Sequence, residues 1–394
     1  MRASYLVSGG GGKGLRRPLL LVLLLAVAAA LTAVYWSWID AQARAVVVLS
    51  SVLEAPVLAP LVEGVTGEPR FEDGSVAGNP ALVAKPEGEG PWPAIFLVNG
   101  TVPEGRELPE VQRLAEGFAR AGYLTVVPDL PGLRSDEITP ETVSETVEVA
   151  RAVSELPDAR DGRAGLVGVS TGATLALLAA KNPSLEGRVS VVGGVAPYAD
   201  IRTILSIATT GHYRDGEDLA PYEAEPFLSY VVARSLVAAL PPGEDRETLR
   251  SELEEVERLD PDPLAGFRDR PLDDLDPEAR SVVELLANRD PERFDELYEV
   301  LPEEVRGGLD ELSPLAEGGR IDAPVELVSG PQDKYFPISE SYAVATIAPK
   351  HRVTVTEALD HSELSFSIRD IPAFLRMNGF AVRSLREASL REAS

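Results

Sequence analysis

From about residue 62 onward, apolar residues fall in short runs that alternate with amphipathic stretches. "ALVAKP" (81–86) and "PAIFLVNG" (93–100) predict strands, "ELPEVQRLAEGFARAG" (107–122) predicts an amphipathic helix, and "YLTVVPDLPG" (123–132) a strand running into a Pro/Gly loop. The pattern repeats in "TPETVSETVEVARAVSEL" (139–156), where Thr139 is placed to cap a helix and Pro140 to occupy its first position. The strand "AGLVGV" (164–169), a helix after Ser170 and the strand "VSVVGGVAPY" (189–198) follow. Short apolar strands separated by helices predict a mostly parallel sheet covered on both faces.

Residues 201–320 break this rhythm, being rich in Glu, Asp, Pro and Leu, as in "TLRSELEEVERL". No strand stands out there, so the segment reads as a helical insertion whose charge runs form a solvated face. The strand pattern resumes in "APVELVSG" (323–330) and "HRVTVTEAL" (351–359), and "IRDIPAFLRMNGF" (368–380) predicts a closing helix. The polar repeat "SLREASLREAS" leaves 381–394 as an expected flexible tail.

The N-terminus follows a different rule. Lys13, Arg16 and Arg17 precede an apolar run from Leu19 to Ile39, broken only by Thr32 and Ser37. As a helix, roughly 21 residues reach roughly 31 Å, the thickness of a bilayer's hydrocarbon core. The basic flank and the aromatic Tyr35, Trp36 and Trp38 at the far end predict a cytoplasmic tail (1–17), a membrane span (18–39), a juxtamembrane linker (40–61) and an extracytoplasmic domain. Cleavage at the Ala-x-Ala pair of Ala41 and Ala43 is the alternative, and would release the domain as a secreted protein. A second apolar run, 45–62, is interrupted by Glu54, Pro56 and Pro60; packing on the domain or lying along the bilayer suits it better than a second span.

Composition narrows the function. A formal charge of −26 disfavours nucleic acid as a partner. The absence of cysteine removes disulfides, thiolate metal sites and a cysteine nucleophile together. No His/Asp/Glu grouping has metal-ligand spacing, and "SGGGGKG" near the start lacks both a preceding strand and a Ser/Thr after Lys13, so neither a metal nor a nucleotide cofactor is expected.

Candidate chemistry centres on "GVSTG". Gly168, Val169, Ser170, Thr171 and Gly172 end a predicted strand and open a helix, a setting in which glycines permit a sharp turn that exposes a serine hydroxyl at a helix N-terminus. A serine nucleophile needs a base, and the chain holds 3 histidines. His212 falls in the insertion and His351 at the start of the last strand, whereas His361 follows that strand in "DHSEL". An acid to orient it is offered by Asp333 in "GPQDKYFP", and a rival by Asp200 after "VVGGVAPY", where a helix N-cap is the other use.

These three ordered motifs make the chain resemble an α/β-hydrolase over about residues 62–380, with 201–320 where that family carries a cap. The resemblance implies a core of 62–200 and 321–380 divided by the cap, and a triad of Ser170, His361 and Asp333. It also implies an oxyanion hole from the backbone N–H groups of Thr101 and Thr171, although Asn99-Gly100 stands where many members have His-Gly. The implied activity is hydrolysis of a small-molecule or lipid-like carboxylic ester through an acyl-enzyme, without a cofactor. Acyl transfer by the same triad, or a catalytically idle binding fold, are the alternatives, and the pattern leaves the oligomeric state open.

Overall fold

In the computed structural model, which describes residues 35–53, 62, 64–316, 318–364 and 371–390, one sheet of eight strands organises the chain. Its strands are β1 (Arg70–Val76), β2 (Asn79–Lys85), β3 (Trp92–Val98), β4 (Leu124–Pro128), β5 (Ala159–Val169), β6 (Val189–Val195), β9 (Val325–Ser329) and β10 (His351–Val355). They lie in the order β1-β2-β4-β3-β5-β6-β9-β10. β1 and β2 pair antiparallel, as do β2 and β4, and every other pairing is parallel. β1 has no counterpart in the hydrophobic pattern because "RFEDGSV" is an exposed, polar edge strand joined to β2 by a hairpin.

Strand periodicity divides the interior in two. Phe96 and Val98 of β3 point into one core with Leu166, Leu175 and the insertion, while Ile95 and Leu97 point into the other. The helices Pro140–Ser154 and Thr171–Lys181 cover the first face. The second is covered by Pro109–Arg120, Ile371–Ser389 and a helix over 35–52.

That last helix places much of the stretch expected as linker against the domain. Ala41, Ala45, Val48 and Leu49 are buried on it. Gly117 admits it closely, since a Cβ there would lie 3.0 Å from the Ser51 Cβ. Gln42 exchanges two amide hydrogen bonds of 3.1 Å with Asn378 of the C-terminal helix. The expected span, 18–39, lies mostly outside the described residues, and among those described no helix is long and apolar enough to cross a membrane.

Two further elements differ from the pattern. The closing helix does not stop at 380 but runs to Ser389, because Leu385 and Ala388 are buried and the Leu385 carbonyl accepts from the buried Tyr123 hydroxyl at 2.7 Å. Residues 391–394 of the expected tail lie outside the described residues. The insertion is mainly helical, but after its first helix, Ile201–Thr210, it carries an antiparallel ribbon, β7 (His212–Asp215) with β8 (Asp218–Pro221). "HYRD" and "DLAP" are too short and too polar to show alternation.

If the 35–52 helix is part of the domain's core, Leu49→Ala should cost about 2–5 kcal/mol in denaturant unfolding. Val46→Ala, on the same helix but 41% exposed, should stay within about 0.5 kcal/mol. Equal, negligible effects would mean that the helix does not belong to the cooperative unit.

Candidate active site

The serine stands on a strained turn. β5 ends at Val169, the helix begins at Thr171, and Ser170 between them has φ 55° and ψ −129°. A non-glycine residue held there stores roughly 1–3 kcal/mol, so its surroundings must over-determine it. They do so by contact. A Cβ on Gly168 would lie 2.3 Å from the Gly172 carbonyl oxygen, and one on Gly172 would lie 2.2 Å from that of Asn99. The Ser170 N–H donates to the Val195 carbonyl at 2.8 Å, which ties the turn to the end of β6. The same closeness sets the loop after β3 beside the serine, where a Cβ on Gly100 would be 3.4 Å from the Ser170 Cβ.

His361 sits in a two-residue turn between the short strands β11 (Leu359–Asp360) and β12 (Glu363–Leu364), with φ 53°. It is buried, its ring meeting the edges of Tyr335 and Phe336 at centroid distances of 4.5 and 5.6 Å. Nδ1 lies 2.9 Å from each carboxylate oxygen of Asp333. A carboxylate there assigns the ring proton to Nδ1 and leaves the Nε2 lone pair free. Asp333 is itself aimed: its Oδ1 accepts from the backbone N–H groups of Tyr335 at 2.8 Å and Phe336 at 3.0 Å. The other two histidines are spent on backbone carbonyls, His212 on Thr210 and His351 on Ala348.

Asp200 is placed elsewhere. It is the N-cap of the helix Ile201–Thr210, its side chain accepting from the Arg202 N–H at 3.0 Å. Between the two aspartates, only Asp333 hydrogen-bonds a histidine among the described residues.

Ser170, His361, Thr101 and Thr171 line one cavity of about 730 Å³. Among the described residues no hydrogen-bond acceptor is found for the N–H groups of Thr101 and Thr171. Thr171 owes this to being the first residue of its helix, where amides lack an intrahelical partner. The remaining wall is largely aliphatic and aromatic, with Leu97, Val111, Leu114, Phe227, Val231 and Phe336 among its residues, and Val52 of the 35–52 helix contributes to it. No group of three or more His, Asp or Glu side chains able to hold a metal occurs among the described residues.

Contacts from the insertion brace both loops. The Tyr222 hydroxyl donates to the Asp333 carbonyl, and the Glu225 N–H donates to that of Lys334 at 2.8 Å. Arg258 donates to the Thr101 carbonyl at 2.6 Å. The loop carrying Thr101 is also held by Asp129, which accepts from the Arg106 N–H at 2.8 Å and pairs with the Arg106 guanidinium. The sequence reading missed Tyr222 and Arg258, since each acts on a loop more than a hundred residues away and neither sits in a local motif.

Residues 95–367, more than half of the chain, match a model described as "Alpha/beta hydrolase family". None of the curated proteins compared with the chain matches it. Similar solved structures include 2,6-dihydroxy-pseudo-oxynicotine hydrolase, 18% identical over 80% of this chain and 68% of that one, with a TM-score of 0.42. A membrane phospholipase A is 17% identical over 94% of this chain and 99% of its own, with a TM-score of 0.39. The acylaminoacyl peptidase of Pyrococcus horikoshii is 16% identical over 85% of this chain and 44% of its own, with a TM-score of 0.45.

Just past the Asp333 loop, buried Glu340 accepts from the N–H groups of Ala199 and Asp200 at 2.8 Å each. Burial pushes its carboxyl up to about 7, against the opposing pull of those two donors. A carboxyl whose folded value lies above its unfolded one keeps its proton longer when folded, so stability is lost as pH rises from about 4.5 to about 7 and is not regained above it. Glu340→Gln should remove that loss, which is on the order of 3 kcal/mol. Urea unfolding of both proteins near pH 5 and near pH 8 measures it, and an equal pH dependence in the two would refute this.

Proposed function

The chain belongs to the alpha/beta hydrolase family, and we propose that within it this protein is a serine hydrolase that cleaves a carboxylic ester through an acyl-enzyme. The observation that carries the reading is the pairing of His361 with Asp333 at 2.9 Å, on a histidine that shares a cavity with Ser170. Ser170 attacks the ester carbonyl as His361 Nε2 takes its proton. The negative charge that develops on the carbonyl oxygen is held by the N–H groups of Thr101 and Thr171. His361 then hands the proton to the leaving alcohol, and water, deprotonated by the same ring, releases the acid. Asp333 keeps the proton on Nδ1 and stabilises the imidazolium between these steps.

A largely apolar wall suits an uncharged ester with an apolar acyl or alcohol part. The N-terminal segment is proposed as a membrane anchor with the hydrolase domain outside the cytoplasm, an assignment that rests on its basic flank and apolar length. Resistance of the full chain to carbonate extraction would support it, and its release in a form starting at Arg44 would replace it with signal cleavage.

Turnover of p-nitrophenyl esters of graded chain length tests the chemistry. Ser170→Ala should lower kcat by a factor on the order of 10⁶ with the fold intact, and activity retained within about tenfold would remove Ser170 from the role. Asp333→Asn should lower kcat by up to about 10⁴. Asp200→Asn should keep most of its activity, since it alters a helix cap worth about 0.5–2 kcal/mol; the reverse order in kcat would move the acid to Asp200.

A further inference from the structure

We propose that Arg258, contributed by the insertion, is a positioning residue for the loop that carries Thr101, so that the insertion sets the rate of the chemical step as well as covering the cavity. The proposal rests on the assignment of Thr101 as an oxyanion donor. A donor works only when its N–H points to where charge will develop, and a displacement of about 1 Å can cost a factor of about 10² in rate. Thr101 lies past the end of β3 and directly after a glycine, so neither the sheet nor a side chain at position 100 limits its rotation. Its own peptide is held by a contact on its carbonyl, whose partner is Arg258 Nη2 at 2.6 Å.

The guanidinium is in turn fixed in its plane. Nε meets Asp136 Oδ2 at 2.8 Å and Nη2 meets Oδ1 at 2.9 Å, a two-pronged pairing with a buried carboxylate. The ring of Phe227 lies 4.2 Å from the guanidinium carbon and closes off one face. Asp136 comes from the loop after β4, Thr101 from the loop after β3 and Arg258 from the insertion, so one planar group joins three segments. Lysine could keep the charge but not the shared geometry, because an ammonium is a point donor and cannot present two parallel bonds to Asp136 while reaching Thr101.

Arg258 also lines the cavity, which raises the alternative that it binds an anionic substrate. Its pairing argues otherwise: Nε and Nη2 are both engaged and the Asp136 carboxylate balances the charge. The neighbouring pair provides a control. Arg234, on the insertion helix Phe227–Ala238, joins Glu137 at 2.7 Å and the Ser135 carbonyl at 3.0 Å, so it anchors the insertion to the same loop as Asp136 without touching Thr101.

The experiment compares Arg258→Lys and Arg234→Lys in the full chain, reading kcat and KM on an uncharged p-nitrophenyl ester together with the melting temperature. Arg258→Lys should lower kcat by about 10- to 100-fold with KM within about threefold of wild type, and should weaken a trifluoromethyl ketone inhibitor in parallel with kcat. Arg234→Lys should shift the melting temperature by a similar amount and leave kcat within about twofold, as an anchor remote from the reacting atoms does. Equal effects of the two on kcat, no effect of Arg258→Lys on kcat, or a rise in KM alone would each overturn the proposal. Failure of the underlying serine-hydrolase reading looks different: Ser170→Ala would then retain activity whatever the Arg258 result, whereas failure of Thr101 as a donor alone would leave Ser170→Ala inactive and Arg258→Lys without effect on kcat.

Discussion

The left-handed backbone at Ser170 is the constraint on which the rest of the site depends. A serine at φ 55° persists because Gly168 and Gly172 let three backbone segments meet at distances that any side chain would forbid. The turn lifts the serine out of the sheet, starts a helix at Thr171, and brings the end of β3 against the same point. One local strain therefore fixes three things at once: the place of the hydroxyl, the free amide of Thr171 and the position of the Asn99–Thr101 loop.

Around that turn the parallel strands act as a rigid comb whose loops emerge beside one another. Asp333 follows β9 and His361 follows β10, so the pair that meets at 2.9 Å is delivered by adjacent strands in matched register. The insertion then acts on the loops rather than on the sheet. It holds the Asp333 loop through Tyr222 and Glu225, and the Thr101 loop through Arg258. The insertion that lines the cavity therefore also braces two of the loops around it.

Where chemistry depends on local spacing, the amino-acid sequence was readable. The "GVSTG" turn, Asp333 after one apolar run and His361 after the next could be ordered from the text, and Asp200 could be recognised as a competing use of the same residue type. What escaped reading depends on distant partners. The polar repeat near the C-terminus hides Leu385 and Ala388, which matter only because Tyr123 and its neighbours receive them. Packing of the apolar run after 45 on the domain is one of the two readings the sequence favours, but only Gly117 and Asn378 show where the 35–52 helix lies. Arg258 carries no motif, because its role exists only when the loops after β3 and β4 meet it.

Covalent capture gives the most direct measure of Ser170 as the nucleophile. The intact protein would be incubated with a fluorophosphonate, digested, and mapped by mass spectrometry. A single phosphonyl adduct on Ser170 of the folded protein is expected, lost on heat denaturation before labelling. An adduct on another residue, or none on protein shown to be folded, would contradict it.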